Sequence, residues 1–372
     1  MDLDIDPATL VWRLSPAQKT GVAVARALIV DPETPVHLLV LDEPTARLPE
    51  HEVELLLSIV RTVSTRGIGV LYVTHRLDEV FQIAARATVL RDGEKVVTEN
   101  VAGLTREDLL QQLLGAALEQ AHRTSSLQSS TGPAVLEVTE LTSEVLRDVN
   151  ISVRGHEIVG IAGITGSGRE ALCATVFGAR PHDAGSISVN DKVLTVNRPD
   201  LAMSAGVAYI PAERKLQGCF MDLPAEENIG LSSMKLLWRF PAIRKKLEVA
   251  LAKKWFTRFA VRPLSGISQP MATFSGGNQQ KIIYGKWFQR EPRLFLLDEP
   301  TQGVDVGAKA ELHQALFAAA EEGAAVLVSS SDVDELVTLC DRIVVLRGGR
   351  VAAELEGTRI SVHDITRAAL GV

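Results

Sequence analysis

The chain has 372 residues, 46% of them hydrophobic, which suggests two domains with real cores and excludes a miniprotein. The formal net charge of −7 argues against nucleic acid as the main partner, because phosphate binding leaves a basic footprint. Cys173, Cys219 and Cys340 match no metal or disulfide spacing and fit a reducing cytoplasm, no charge-free apolar stretch is long enough to span a bilayer, and the acidic start MDLDIDPATL has no signal-peptide pattern.

In chain order, the first signal is LSPAQK (14–19), followed by LLVLDEPTARLPEHEVELLLSIV (38–60), VLYVTHRLDEV (70–80) and ATVLRDGEKV (87–96). The last three recur at an offset of 256 residues as LFLLDEPTQGVDVGAKAELHQAL (294–316), LVSSSDVDEL (327–336) and IVVLRGGRV (343–351). Each copy reads as strand, acidic turn, helix, strand, turn, helix, strand. The short, continuous, β-branched apolar runs predict buried parallel strands with helices on both faces, an α/β architecture. Between the copies, AHRTSSLQSSTG (121–132) is polar and reads as a linker. The second copy begins at Val135, with about 140 residues before its SGG motif. Ser15 of the first copy has only 14 residues before it, so about 125 residues of a complete first copy are expected to lie upstream or on another polypeptide.

In the second copy the predicted strand EIVGIAG runs into Gly163, Ile164, Thr165, Gly166, Ser167, Gly168, Arg169 and Glu170, then a helix. A glycine-rich turn between strand and helix lets backbone N–H groups wrap a phosphate at the positive helix end. The spacing is that of the P-loop G-x-x-x-x-G-K-[ST], with Arg169 for lysine and Glu170 for the Mg²⁺-holding hydroxyl. Arginine keeps the charge on a larger planar fork, and Glu170 adds negative charge near phosphates. An ordinary glycine-rich turn is the alternative for this segment taken alone. Asp298 and Glu299 follow an apolar strand, as do Asp42 and Glu43 in the first copy. The first carboxylate of each pair suits Mg²⁺ and the second suits polarising a water. An acidic helix cap is the alternative, but the pattern occurs twice. In FSGGNQQK (274–281), Ser275, Gly276, Gly277 and Asn278 open a helix whose free N–H groups and glycines permit close approach to a phosphate, with Ser275 also an N-cap. Pro16 and Ala17 replace the glycines in the first copy, so phosphate approach should be poorer there.

Together these motifs resemble, over nearly the whole chain, the nucleotide-binding subunits of ATP-binding cassette proteins, a P-loop NTPase fold. In that family two cassettes pack head to tail, each ATP lying between the P-loop and DE pair of one and the SGG signature of the other. The division implied is the C-terminal part of a first cassette at 1–115, a linker at 116–134, and a second cassette with degenerate motifs at 135–372. The tandem arrangement, FSGGNQQK, PTQGVDVGAK, and ERKLQG with the downstream EEN look like the carbohydrate-import subfamily of the ribose, galactose and xylose type. That subfamily's second cassette carries a P-loop arginine and a serine for the switch histidine, and Ser331 aligns with His75. Glu170, and Ala212 at the position of the Q-loop glutamine or glutamate, depart from the pattern and put hydrolysis by the second cassette in doubt. The resemblance implies ATP and Mg²⁺, integral-membrane permease subunits, indirectly an external sugar-binding protein, no nucleic acid, and a peripheral place on the cytoplasmic membrane face. One implied site pairs Asp42, Glu43 and His75 with Ser275, Gly276 and Gly277. The other pairs 163–170, Asp298, Glu299 and Ser331 with LSPAQ. Nucleoside or autoinducer import, and a soluble cassette factor, are the alternatives.

The segment 241–259 is predicted as a helix with Ile243, Leu247, Leu251 and Trp255 along one side. Its basic residues suit a solvated face rather than an anionic lipid or nucleic-acid surface, and the resemblance puts it in the helical subdomain near the permease. The cysteines are expected to be plain core or surface residues.

Overall fold

In a computed structural model the described residues are 5–29, 36–45, 48, 50–74, 76–91, 94–114 and 133–371. The linker at 121–132 and the candidate switch residue His75 lie outside them. The chain divides into two compact units, Met1–Leu118 and Glu119–Val372.

The second unit is built on a six-stranded sheet in the order Val207–Ile210, Leu294–Asp298, Ala325–Ser329, Ile158–Ala162, Arg342–Arg347, Arg350–Glu356. The first five strands are parallel and the last returns antiparallel. Four of the parallel strands, including LFLLD, AVLVS and IVGIA, are buried at every position, as continuous apolar runs require when helices cover both faces. A smaller antiparallel sheet, ordered Val149–Arg154, Ala134–Thr142, Ala184–Val189, Lys192–Val193, was not anticipated, because its strands alternate without a repeat to flag them. Parallel strands that end at one edge of the sheet bring Ile161, Ser329 and Asp298 side by side, which positions the site described below.

The 256-residue offset holds in three dimensions. Leu38–Asp42 pairs with Gly69–Val73 in the same register as Leu294–Asp298 with Ala325–Ser329. The helices Glu50–Thr65, Leu77–Ile83 and Arg106–Leu114 match Val306–Glu321, Val333–Leu339 and Val362–Leu370 in length and position. Even the bulge at Val89/Leu90 recurs at Val345/Leu346.

One expectation is corrected. Strands buried on both faces were predicted in both copies, but Leu38, Val40, Leu71 and Val73 of the first unit are exposed. Among the described residues, the core of Val24, Leu39, Leu41, Ile59, Val60 and Val63 covers one face of these strands. The predicted helix at 241–259 is also shorter: it runs Lys245–Arg258, and Ala242–Ile243 pairs antiparallel with Trp238–Arg239 in a small ribbon. No helix among the described residues is long and apolar enough to cross a membrane. Cys173, Cys219 and Cys340 are free thiols, the first two buried.

Candidate nucleotide site

The turn after Ile158–Ala162 wraps as a phosphate loop does. A side chain at Gly163 would meet the Leu346 carbonyl oxygen at 2.7 Å, and Gly168 has a φ of 100° as it opens the helix Arg169–Phe177. Only glycine tolerates both conditions. Thr165 lies in the same turn, and the Ser167 N–H donates to the Ile164 carbonyl at 2.9 Å.

The structure gives the two altered residues specific partners. The Gly166 N–H donates to Glu170 Oε1 at 2.9 Å, so a carboxylate of the chain itself sits on one of the amides that a phosphate would use. Arg169 is engaged within the chain: its Nε donates to the Gly163 carbonyl at 2.9 Å and its Nη1 to Glu299 Oε1 at 2.7 Å. That ion pair is almost dry, the two side chains being 5% and 12% exposed. Ser331 completes the clamp, its N–H donating to Glu299 Oε1 at 2.9 Å and its hydroxyl to Oε2 at 3.0 Å. Glu299 is held in the left-handed region at φ 47°, a strained position for a residue with a Cβ, and its N–H donates to the Ser329 carbonyl. Glu43 has the same geometry, at φ 43° with its N–H on the Val73 carbonyl.

Beside the pair, burial and then the neighbouring Glu299 charge push the Asp298 carboxyl up to about 7, against the opposing pull of Arg169 and Ser329. Among the described residues no group of three or more His, Cys, Asp or Glu side chains could hold a metal by itself.

Beneath the site lies a buried carboxylate that motif reading did not single out. Glu335 accepts from Thr301 and Ser330 hydroxyls at 2.7 Å each and lies 2.9 Å from His313 Nε2. Against the upward push of burial, the His313 contact, the Lys309 charge and the Ser330 hydroxyl hold its carboxyl down at about 2. The first unit repeats the device, with Glu79 accepting from Thr74 at 2.8 Å and Tyr72 at 2.9 Å. The signal was present in the sequence: THRLDE and SSSDVDE align Glu79 with Glu335.

The signature helix Gly276–Phe288 starts as expected, the Ser275 side chain accepting from the Asn278 N–H. Asn278 is engaged internally, Nδ2 donating to Ser275 Oγ at 3.0 Å and Oδ1 accepting from the Arg262 N–H at 2.9 Å. The two glycines also have a local task. A Cβ at Gly276 would meet the Gly303 carbonyl at 2.8 Å, and one at Gly277 would meet Asp305 at 2.9 Å. The equivalent helix Pro16–Leu28 of the first unit carries a capping box of Ser15 and Gln18, and its Ala17 N–H donates to Glu52 at 2.8 Å. A carboxylate thus occupies a helix-start amide in the first unit.

Residues 146–302, which contain both the loop and Asp298–Glu299, match the family described as ABC transporter. A protein of Streptomyces avermitilis named ribose import ATP-binding protein RbsA 2 is 38% identical over 372 residues, covering all of this chain and 72% of its own length. One of Rubrobacter xylanophilus with the same name is 40% identical over 373 residues, covering all of this chain and 70% of its own. The chain belongs to the ABC transporter ATPases. Among solved structures, an ATP-binding subunit of an ABC transporter aligns at TM-score 0.50 and 27% identity over 64% of this chain and 93% of its own. The ADP conformation of an ATP-binding cassette aligns at TM-score 0.53 and 20% identity over 64% and 100%, which speaks for the fold alone. Nucleotide binding and ATP hydrolysis are the activity of this family, and the glycine loop with its adjoining carboxylates is the cassette's candidate site for it.

Proposed function

We propose that this ATPase energises import of a sugar, ribose or a close relative, through an integral-membrane permease, from the cytoplasmic face of the membrane. The observation that carries the reading is 38–40% identity along the entire chain to proteins named for ribose import. An external sugar-binding protein would deliver the solute to the permease.

Within the second unit, the amides of Gly163, Thr165, Gly166, Ser167 and Gly168 are the proposed phosphate cradle. The loop fits a phosphate in shape, but the Gly166 amide becomes available only when the Glu170 carboxylate leaves it. Asp298 is the proposed protein ligand for Mg²⁺. One carboxylate suffices when a nucleotide supplies further oxygens, because Mg²⁺ characteristically binds through one or two carboxylates, phosphates and waters. The metal would neutralise charge building on the transferred phosphoryl group. Glu299 is the proposed water-polarising carboxylate, but its charge is answered by Arg169 and Ser331, so the second unit is proposed to bind nucleotide and to contribute little to hydrolysis. Asp42 and Glu43, with His75, are proposed for the equivalent roles in the first unit. Ser275, Gly276, Gly277 and Asn278 are the proposed signature that meets a nucleotide held by another cassette.

The test is reconstitution of the chain with an integral-membrane sugar permease, in vesicles loaded with ATP. Uptake of labelled ribose or a related sugar that requires ATP is the expected outcome. ATP-dependent uptake of a nucleoside but no sugar, or no uptake of any solute together with cosedimentation with ribosomes, would overturn it.

A further inference from the structure

The ribbon joining the helices Ala225–Gly230 and Lys245–Arg258 exposes side chains that a protein surface in water ordinarily hides. Trp238 is 50% exposed, Phe240 85%, Leu236 53% and Ile243 41%. The ribbon has a defined shape. Trp238 pairs with Ile243 and Arg239 with Ala242, the Arg244 N–H donates to the Leu237 carbonyl at 2.9 Å, and Leu237 is fully buried as its anchor. Directly opposed residues of an antiparallel pair share a face, so Trp238 and Ile243 stand together.

Charge is segregated around this apolar tip. Residues 234–246 contain five basic side chains, Lys235, Arg239, Arg244, Lys245 and Lys246, and no acidic one, in a chain whose net charge is −7. Lys245 is exposed but ion-paired, Glu226, Glu227 and Glu248 meeting its Nζ at 2.9–3.1 Å. The other four form no ion pair among the described residues and are exposed. Aromatic and aliphatic side chains at a tip, flanked on both sides by long cations, are the composition of a segment that inserts shallowly into a bilayer. Tryptophan and phenylalanine sit at headgroup depth while lysine and arginine reach anionic headgroups.

In place of the solvated face that sequence alone favours for Arg244 and Lys246, we propose that the 234–246 ribbon is a membrane-surface anchor: Trp238, Phe240 and Leu236 enter the interface of an anionic bilayer, and Lys235, Arg239, Arg244 and Lys246 bind its acidic headgroups. The inference rests on the patch itself and is independent of which solute is imported. Permease contacts alone would then not hold the ATPase at the bilayer. Each surface cation strengthens such binding by about fivefold at low ionic strength, and salt weakens the effect.

The experiment is cosedimentation of the full chain with extruded vesicles of phosphatidylcholine, with and without phosphatidylglycerol. The expected result is binding that requires phosphatidylglycerol, falls as salt rises, and weakens about tenfold or more in the double substitution Trp238→Ala, Phe240→Ala and in Arg244→Glu, Lys246→Glu. Arg359→Glu, an exposed change elsewhere in the same unit, should bind as the parent does. Unchanged near-ultraviolet circular dichroism establishes that the variants are folded. Absence of vesicle binding by the parent chain overturns the proposal, as does equal binding by parent and ribbon variants. If vesicles are not bound but the ribbon variants lose capture by detergent-solubilised permease, the surface is a protein-docking face and the lipid assignment is wrong.

Discussion

The Gly166 N–H of the phosphate loop donates to Glu170 Oε1, four residues ahead of it, at 2.9 Å. A loop whose shape suits an anion therefore already has one, supplied by the first turn of the helix it opens. The neighbouring cation is likewise spoken for, because Arg169 reaches back to Glu299. The two residues that depart from the P-loop pattern act together: one sits on a loop amide and the other answers the Glu299 charge.

Glu299→Gln should therefore change the ATPase rate of the permease-bound complex only a few-fold. Loss of a working general base costs about two to four orders of magnitude. Phosphate release at saturating Mg-ATP measures the difference, and a hundredfold loss would show that Glu299 is free to act in turnover.

Arg169→Met should destabilise the second unit by about 2–4 kcal/mol, somewhat under the usual cost of orphaning a buried charge, because the Ser331 donors remain. Arg169→Lys should cost less. Urea denaturation followed by tryptophan fluorescence reports this, since Trp255 and Trp287 are buried in that unit. A change below about 0.5 kcal/mol would mean that the ion pair does not hold the loop.

Asp298 should make stability fall as pH rises from about 4 to 7. The folded state keeps the proton to about 7, whereas the unfolded carboxyl loses it near 3.8. Between those values the native chain binds more protons, so deprotonation penalises it, by roughly 4 kcal/mol in full at 1.36 kcal/mol per unit. Asp298→Asn should flatten that portion of the curve. Denaturation midpoints of parent and variant across this range provide the check, and parallel curves would refute the assignment.

Glu335→Ala should cost about 3–5 kcal/mol, because it strands the buried Thr301, Ser330 and His313 groups that converge on one carboxylate. The native network holds the Glu335 carboxyl near 2, so its stabilisation is present above about 4.5 and is lost as pH falls towards 2. Thermal unfolding of the variant at neutral pH tests the magnitude.

Much of the scaffold was legible because a repeat announces itself. Two octapeptides ending in DEPT, at one offset, located the parallel strands and the turn at Glu43 and Glu299, and the glycine spacing located the loop. Periodicity could not say which faces would be covered, so the exposed Leu38 and Val40 were missed. It could not find the antiparallel strands of 134–193, which carry no motif, nor see that Ala242 and Ile243 belong to a ribbon rather than begin a helix. The Glu170 contact was also beyond it. Sequence marks a charge near the loop, and only three-dimensional geometry shows that charge on the Gly166 amide.

The most direct test of a loop closed by its own carboxylate is calorimetric titration of Mg-ATP into the parent chain and into Glu170→Ser, which removes the carboxylate and restores a hydroxyl. The freed Gly166 loop amide and a restored metal-side hydroxyl together should tighten binding about tenfold or more, since loss of a charge-assisted hydrogen bond of about 1.5–3 kcal/mol no longer opposes entry of the phosphate. Equal affinities in the two proteins would contradict the account, for they would show that Glu170 does not compete with nucleotide for the loop.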